Sequence, residues 1–134
     1  MNHPARILIV EDNQLVAKFY RLALERAGGF ECVVSEDVPV IVAEIEAGRI
    51  DCAILDVTLG SATWEGRPID GVELTRLLKQ RSPKPLPVML ATAHAMPGER
   101  DRLLAESGAD AYLQKPVYEA DALVKQVREL IGGR

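Results

Sequence analysis

The sequence has no excess of positive charge, no long apolar run at its start, no internal repeat and no cluster of cysteine or histidine. Each lack closes off a class of function. Over 134 residues, 16 Lys and Arg face 20 Asp and Glu, a net charge of −4. A domain that grips nucleic acid by neutralising phosphates needs the opposite balance. The opening "MNHPARILIV" holds only four consecutive apolar residues, Ile7 to Val10, too few for a signal core or a membrane span. The expected compartment is the cytoplasm. Cys32 and Cys52 lie in separate apolar runs and read as two buried thiols rather than a disulfide or a metal pair. His3 and His94 are the only histidines, so a soft-metal site has no donor set.

What is present is an alternation. Short apolar runs at Ile7–Val10, Cys32–Val34, Cys52–Leu55, Val88–Ala91 and Ala111–Leu113 are separated by amphipathic stretches. Continuous apolar runs suit strands covered on both faces. Leu15, Val16, Phe19, Tyr20 and Ala23 share one helical face, and Gly28-Gly29 stops that helix. Val38 to Ala47 gives a second helix, closed by Gly48. Asp70-Gly71-Val72-Glu73 resembles a capping box opening a third. Leu103, Leu104 and Ala105 mark a fourth, ending at Gly108. Ala120, Leu123, Val124, Val127 and Ile131 mark the last, ended by Gly132-Gly133. Five βα units imply one domain over 1–134, an α/β doubly wound parallel sheet with helices on both faces. Ligands in such sheets bind beyond the carboxyl ends of the strands.

The residues at those ends form a set. Run one is followed by Glu11-Asp12, run three by Asp56, run four by Thr92, and run five leads to Lys115 and Pro116. In a parallel sheet these ends share one edge. Three carboxylates there repel one another, and a hard divalent cation with oxygen ligands, Mg²⁺ above all, relieves that repulsion. A carboxylate can also be a nucleophile toward a phosphoryl group, with a metal and a lysine offsetting the transferred charge. Singly, each residue has a bland reading. The acids could start a helix, Asp56 could be a loop acid, Thr92 a turn or cap residue, Tyr112 core and Lys115 a solvated cation. Together on one sheet edge they do not read as accidents.

"RILIVEDN", "CAILDV", "PVMLATAHA" and "GADAYLQKPV", in that order, resemble the receiver domain of two-component response regulators. The resemblance covers nearly the whole chain and implies a flavodoxin-like sheet order of 2-1-3-4-5. It implies Asp56 as phosphoacceptor, with Glu11, Asp12 and Asp56 holding Mg²⁺ and the Thr58 backbone carbonyl completing the metal shell. Thr92 resembles the hydroxyl that closes on the phosphoryl group. Tyr112 resembles the aromatic switch residue, and Lys115 the lysine that pairs with the acceptor, before a cis Lys115–Pro116 bond. His94 occupies a position that can influence phosphoryl loss. The implied partners are a histidine kinase or histidine phosphotransfer protein upstream, and a downstream target or an output domain outside this chain. No membrane or direct nucleic-acid partner is expected. The implied signalling surface is helix 4, strand 5 and helix 5. Such a domain catalyses its own phosphoryl transfer and loss without being an enzyme in the usual sense. In the implied order, Cys32 and Cys52 stand two strand spacings apart, about 10 Å, beyond the roughly 7 Å Cα limit for a disulfide.

One segment departs from the family pattern. The 14 residues 57–70, "VTLGSATWEGRPID", separate Asp56 from the next helix, where about 2–6 are usual. Gly60 stands where the family often has proline, and the extended loop holds the only tryptophan, Trp64. Trp64 is expected either to sense the site from its rim or simply to pin the loop to the domain. Two other functions compete: a docking module that works without phosphorylation, and a phosphatase turning over through an aspartyl-phosphate.

Overall fold

The computed structural model describes residues 3–93 and 96–132. Its strands are β1 (Arg6–Val10), β2 (Glu31–Val34), β3 (Cys52–Asp56), β4 (Thr63–Trp64), β5 (Arg67–Pro68), β6 (Val88–Thr92) and β7 (Ala111–Gln114). Five of them form one sheet in the order β2-β1-β3-β6-β7, every pairing parallel. Counted without the small hairpin β4–β5, this is the expected order 2-1-3-4-5. The helices are α1 (Gln14–Leu22), α2 (Val38–Glu46), α3 (Gly71–Arg81), α4 (Glu99–Ser107) and α5 (Ala120–Gly132).

Side chains alternate across a strand, and the apolar runs feed two cores. Leu8, Val10, Ala53, Leu55, Val88 and Leu90 pack with α2 and α3 residues such as Ile41, Ile45, Leu74 and Leu78. Ile7, Ile9, Cys52, Ile54, Met89 and Ala91 face the other way, onto Ala17, Tyr20, Leu123 and Val127 of α1 and α5. The central strands β3 and β6 are buried along their full length, because neighbours cover both faces and both edges.

The outer strands differ. In β2 no residue is fully buried, so Cys32 is half-buried rather than buried as its apolar run suggested. Burial still pushes its thiol up to about 12, with the charge of Glu25 adding to the effect. Both cysteines are free. Ile7 lies between them, paired to Cys32 on one side and Cys52 on the other.

Two helix faces also depart from expectation. Leu15 is 80% exposed, because in the first turn of α1 it lies beyond the sheet edge; the inward stripe is Ala17, Tyr20 and Leu24. Beyond Leu22 the helix widens into π geometry over Ala23–Ala27 before Gly28 and Gly29 end it. In α4 only Leu103 and Ser107 are buried, while Ala105 is exposed.

The segment after β3 folds back on itself. Glu65 and Gly66, at φ 51° and 80°, make the left-handed two-residue turn that suits a tight hairpin. Ile69 N–H closes its neck on Ala62 C=O at 3.1 Å. Trp64 packs on the α2–α3 core with the Arg81 guanidinium 5.8 Å from its ring centroid. Asp70 then caps α3 in the expected reciprocal box with Glu73.

Candidate functional site at the carboxyl edge of the sheet

The geometry begins with a cap. Asn13 accepts the N–H groups of Leu15 and Val16 at 3.0 and 3.1 Å, and the first turn of α1 holds no acid. Glu11 and Asp12 therefore do not serve as helix starters. They are left at the mouth of β1, next to the end of β3.

There Glu11, Asp12 and Asp56 each offer a carboxylate oxygen, all within 4.8 Å of one another. Glu11 is 2% exposed and Asp56 7%, whereas Asp12 faces solvent. A Lys115 N–H donates to Glu11 Oε1 at 2.8 Å and another to Asp56 Oδ2 at 3.2 Å. Asn13 N–H donates to Glu11 Oε2 at 3.1 Å, and Thr58 N–H to Asp56 Oδ1 at 3.3 Å. Burial pushes the Glu11 carboxyl up to about 7, against the lowering pull of the Lys115 and Asn13 hydrogen bonds. For Lys115, burial pulls the ammonium down, but the Glu11 hydrogen bond and the charges of Asp56 and Glu11 outweigh it, so its pKa is raised. The site favours one extra positive charge, supplied here by the lysine.

Three close oxygen ligands of mixed burial, with one face open at Asp12, suit a small hard cation. Glu11, Asp12 and Asp56 would hold it, and Thr58 stands at the rim through its bond to Asp56.

The remaining expected residues are placed by the sheet. Thr92 ends β6, is 1% exposed, and accepts Lys115 N–H on its carbonyl at 2.8 Å. Its neighbour Ala91 pairs with Asp56, so the hydroxyl-bearing residue lies one step beyond the Asp56 row. Tyr112 is half-buried against the α2–α3 core, opposite Leu90. The Lys115–Pro116 bond is cis. His94 lies outside the described residues.

Trp64 is carried to the α2–α3 flank, where it lines a cleft with Arg67, Arg76 and Leu77. Besides Thr58, Gly60 of the 57–70 segment borders the acids: a Cβ there would stand 3.4 Å from Asp12 Oδ2.

Sequence reasoning missed two supports. Gly71 was read only as part of a capping box, yet a Cβ at Gly71 would overlap the Asp56 carbonyl oxygen and crowd Val57 Cα. Its N–H donates to Val57 C=O at 2.8 Å, so α3 starts directly against the backbone of Asp56. A glycine at the first position of a helix was the available signal. The other is Tyr20, read as a core residue. Its hydroxyl is buried and has no hydrogen-bond partner. Burial first, then the charges of Glu11 and Asp56, raise its pKa far above the usual tyrosine value.

An α/β fold of this order with an acid cluster and a lysine at its carboxyl edge defines a class, and comparison with known proteins agrees. The family model described as "Response regulator receiver domain" matches residues 7–128. The chain belongs to that family. It is 28% identical over 130 residues to the polar-differentiation response regulator DivK of Brucella anthropi, covering 96% of this chain and 98% of DivK. It is 33% identical over 126 residues to the sensory transduction protein RegX3 of Mycolicibacterium smegmatis, covering 93% of this chain but only 50% of RegX3. The chain thus spans about half the length of some relatives and nearly all of others. Among solved structures, a CheY-like receiver domain protein from Methanospirillum hungatei superposes with a TM-score of 0.79 at 25% identity, covering 98% and 96% of the two chains. The receiver domain of the sensor histidine kinase PA1611 from Pseudomonas aeruginosa, described with a magnesium ion in its active site cleft, superposes with 0.77 at 27% identity, covering 97% and 99%. No helix among the described residues is long and apolar enough to cross a membrane.

Proposed function

We propose that this chain is a phosphoacceptor signalling domain in which Asp56 takes a phosphoryl group from a phosphohistidine of a kinase or phosphotransfer protein. The observation that carries the reading is the pair of contacts from one Lys115 ammonium to Asp56 and Glu11, beside Asp12, at one open edge. A bound Mg²⁺ would draw the incoming phosphoryl oxygens and the acids together and spread the developing charge.

Asp56 presents Oδ2 toward Lys115 while Thr58 N–H holds Oδ1. One carboxylate oxygen attacks phosphorus, the O–P bond forms, and the P–N bond to the donor imidazole breaks with its electron pair leaving on nitrogen. Lys115 follows the phosphoryl oxygens. Thr92 supplies a hydroxyl from β6, and the space it leaves admits Tyr112. The α4–β7–α5 face then changes toward its downstream target, a population shift in a two-state element. Loss of the phosphoryl group is hydrolysis by water at the same edge.

The test is intact-protein mass measurement with acetyl phosphate, with and without Mg²⁺. Wild type is expected to gain one phosphoryl group only with the metal, and Asp56→Asn to gain none, since an amide is a far poorer nucleophile. Equal labelling of the two proteins, or none in wild type with metal, would sink the assignment.

A further inference from the structure

One buried hydroxyl in the cavity beside Lys115 has no partner. Among the described residues, two buried side-chain polar atoms have no hydrogen-bond partner: Arg6 Nε and the Tyr20 hydroxyl. Arg6 begins β1 and has ion-pair contacts with Glu31 and Glu44. Tyr20 is different. It is 1% exposed and lies on the inward stripe of α1. It lines a cavity of about 360 Å³ together with Phe19, Ala93, Lys115 and Pro116. A buried hydroxyl without a partner costs about 1–3 kcal/mol, so a tyrosine here, where phenylalanine fills the same space, calls for a partner in some state of the protein.

Lys115 shows which state. Its ammonium bridges Glu11 and Asp56. When a phosphoryl group stands on Asp56, an ammonium that follows the phosphoryl oxygens gives up its bond to Glu11. That carboxylate is nearly sealed from solvent and would lose its strongest donor. Resting on the phosphoacceptor reading above, we propose that Tyr20 is a positioning residue, whose hydroxyl donates to the Glu11 carboxylate when Lys115 turns from Glu11 to the phosphoryl group. A carboxylate has lone pairs for both a metal and a hydroxyl donor. The phenol keeps its proton throughout the working pH range, because burial and the nearby acids oppose its ionisation. Tyr20 thus holds Glu11 in place while the lysine is away, without touching the phosphoryl group itself.

Tyr20→Phe separates this from a packing role because it removes only the oxygen. Urea unfolding and beryllofluoride titration are compared in wild type and Tyr20→Phe, with saturating Mg²⁺ in the titration. Without beryllofluoride the variant is expected to be at least as stable as wild type, since an unpaired buried hydroxyl has gone. Its beryllofluoride affinity is expected to fall about tenfold, the worth of one hydrogen bond to a charged group. The beryllofluoride-minus-free infrared difference spectrum of wild type should contain a shifted tyrosine C–O band that the variant lacks, with Tyr112 supplying the band common to both. Equal affinity in the two proteins, or a variant that is less stable without beryllofluoride, overturns the role of Tyr20 and leaves the phosphoacceptor reading intact. Wild type that binds no beryllofluoride overturns both.

Discussion

The acid-bearing centre of the sheet and its β7 edge are built to different standards. On one side β1 and β3 carry the acids on strands buried almost throughout: four of five residues in β1, all five in β3. On the other, β7 has a single buried residue and α4 only two. The acids sit on the part of the molecule that cannot shift without breaking two cores. The α4–β7 face is fastened by few apolar contacts, and such regions open at low free-energy cost. On the phosphoacceptor reading proposed above, this contrast would give the chemistry a fixed frame and the readout a movable one.

Substitution in each half breaks the comparison most directly. Leu55→Ala, in the frame, is expected to lower stability by about 3 kcal/mol, and Leu104→Ala, on the half-buried side of α4, by under about 1 kcal/mol. Urea unfolding of both variants measures this; similar losses would erase the distinction. Next in size is Gly71→Ala. Its methyl would overlap the Asp56 carbonyl oxygen, so α3 must back away from β3 at a cost of about 2–3 kcal/mol, with slower phosphorylation by acetyl phosphate at matched folded fraction.

Lys115→Ala joins the halves, since the lysine follows β7 and bonds the acids of β1 and β3. It should cost about 1–2 kcal/mol and still bind beryllofluoride. Backbone NMR shifts across residues 103–127 should then lose most of the wild-type response. A full response in the variant would show that the movable half is driven without the lysine.

A pH slope sharpens the comparison last. Glu11 rises from 4.5 in the unfolded chain to about 7 when folded without metal, so the folded state holds the extra proton. That contribution is complete below about 4.5 and is lost as pH climbs through about 7. The slope is at most about 1.4 kcal/mol per pH unit for one proton. Saturating Mg²⁺, which favours the ionised carboxylate, should flatten it. Urea midpoints from pH 5 to 8, with and without Mg²⁺, check the sign.

What could be read from the sequence was whatever depends on runs and order. Ile7–Val10, Cys52–Leu55 and Val88–Ala91 are unbroken apolar because each strand feeds a core on both faces, and the residues after them mark the acid edge directly. What escaped depends on distance between segments. Gly71 needs the Asp56 carbonyl to explain it, and the Tyr20 hydroxyl needs the cavity it shares with Lys115. Leu15 and Ala105 were assigned by helical periodicity alone, which cannot say where the sheet beneath a helix ends. The β4–β5 hairpin was invisible because Thr63-Trp64 and Arg67-Pro68 are too short for any period, and Glu65 is a rare choice for a left-handed turn.

The neck of that hairpin has a use beyond the native protein. Ala62 and Ile69 are already joined by a backbone hydrogen bond of 3.1 Å, so the chain enters and leaves the excursion at nearly one point. The Glu65–Gly66 turn is therefore a grafting port, where a fluorophore-bearing loop or a reporter domain can be inserted while Trp64 keeps its place on the α2–α3 core.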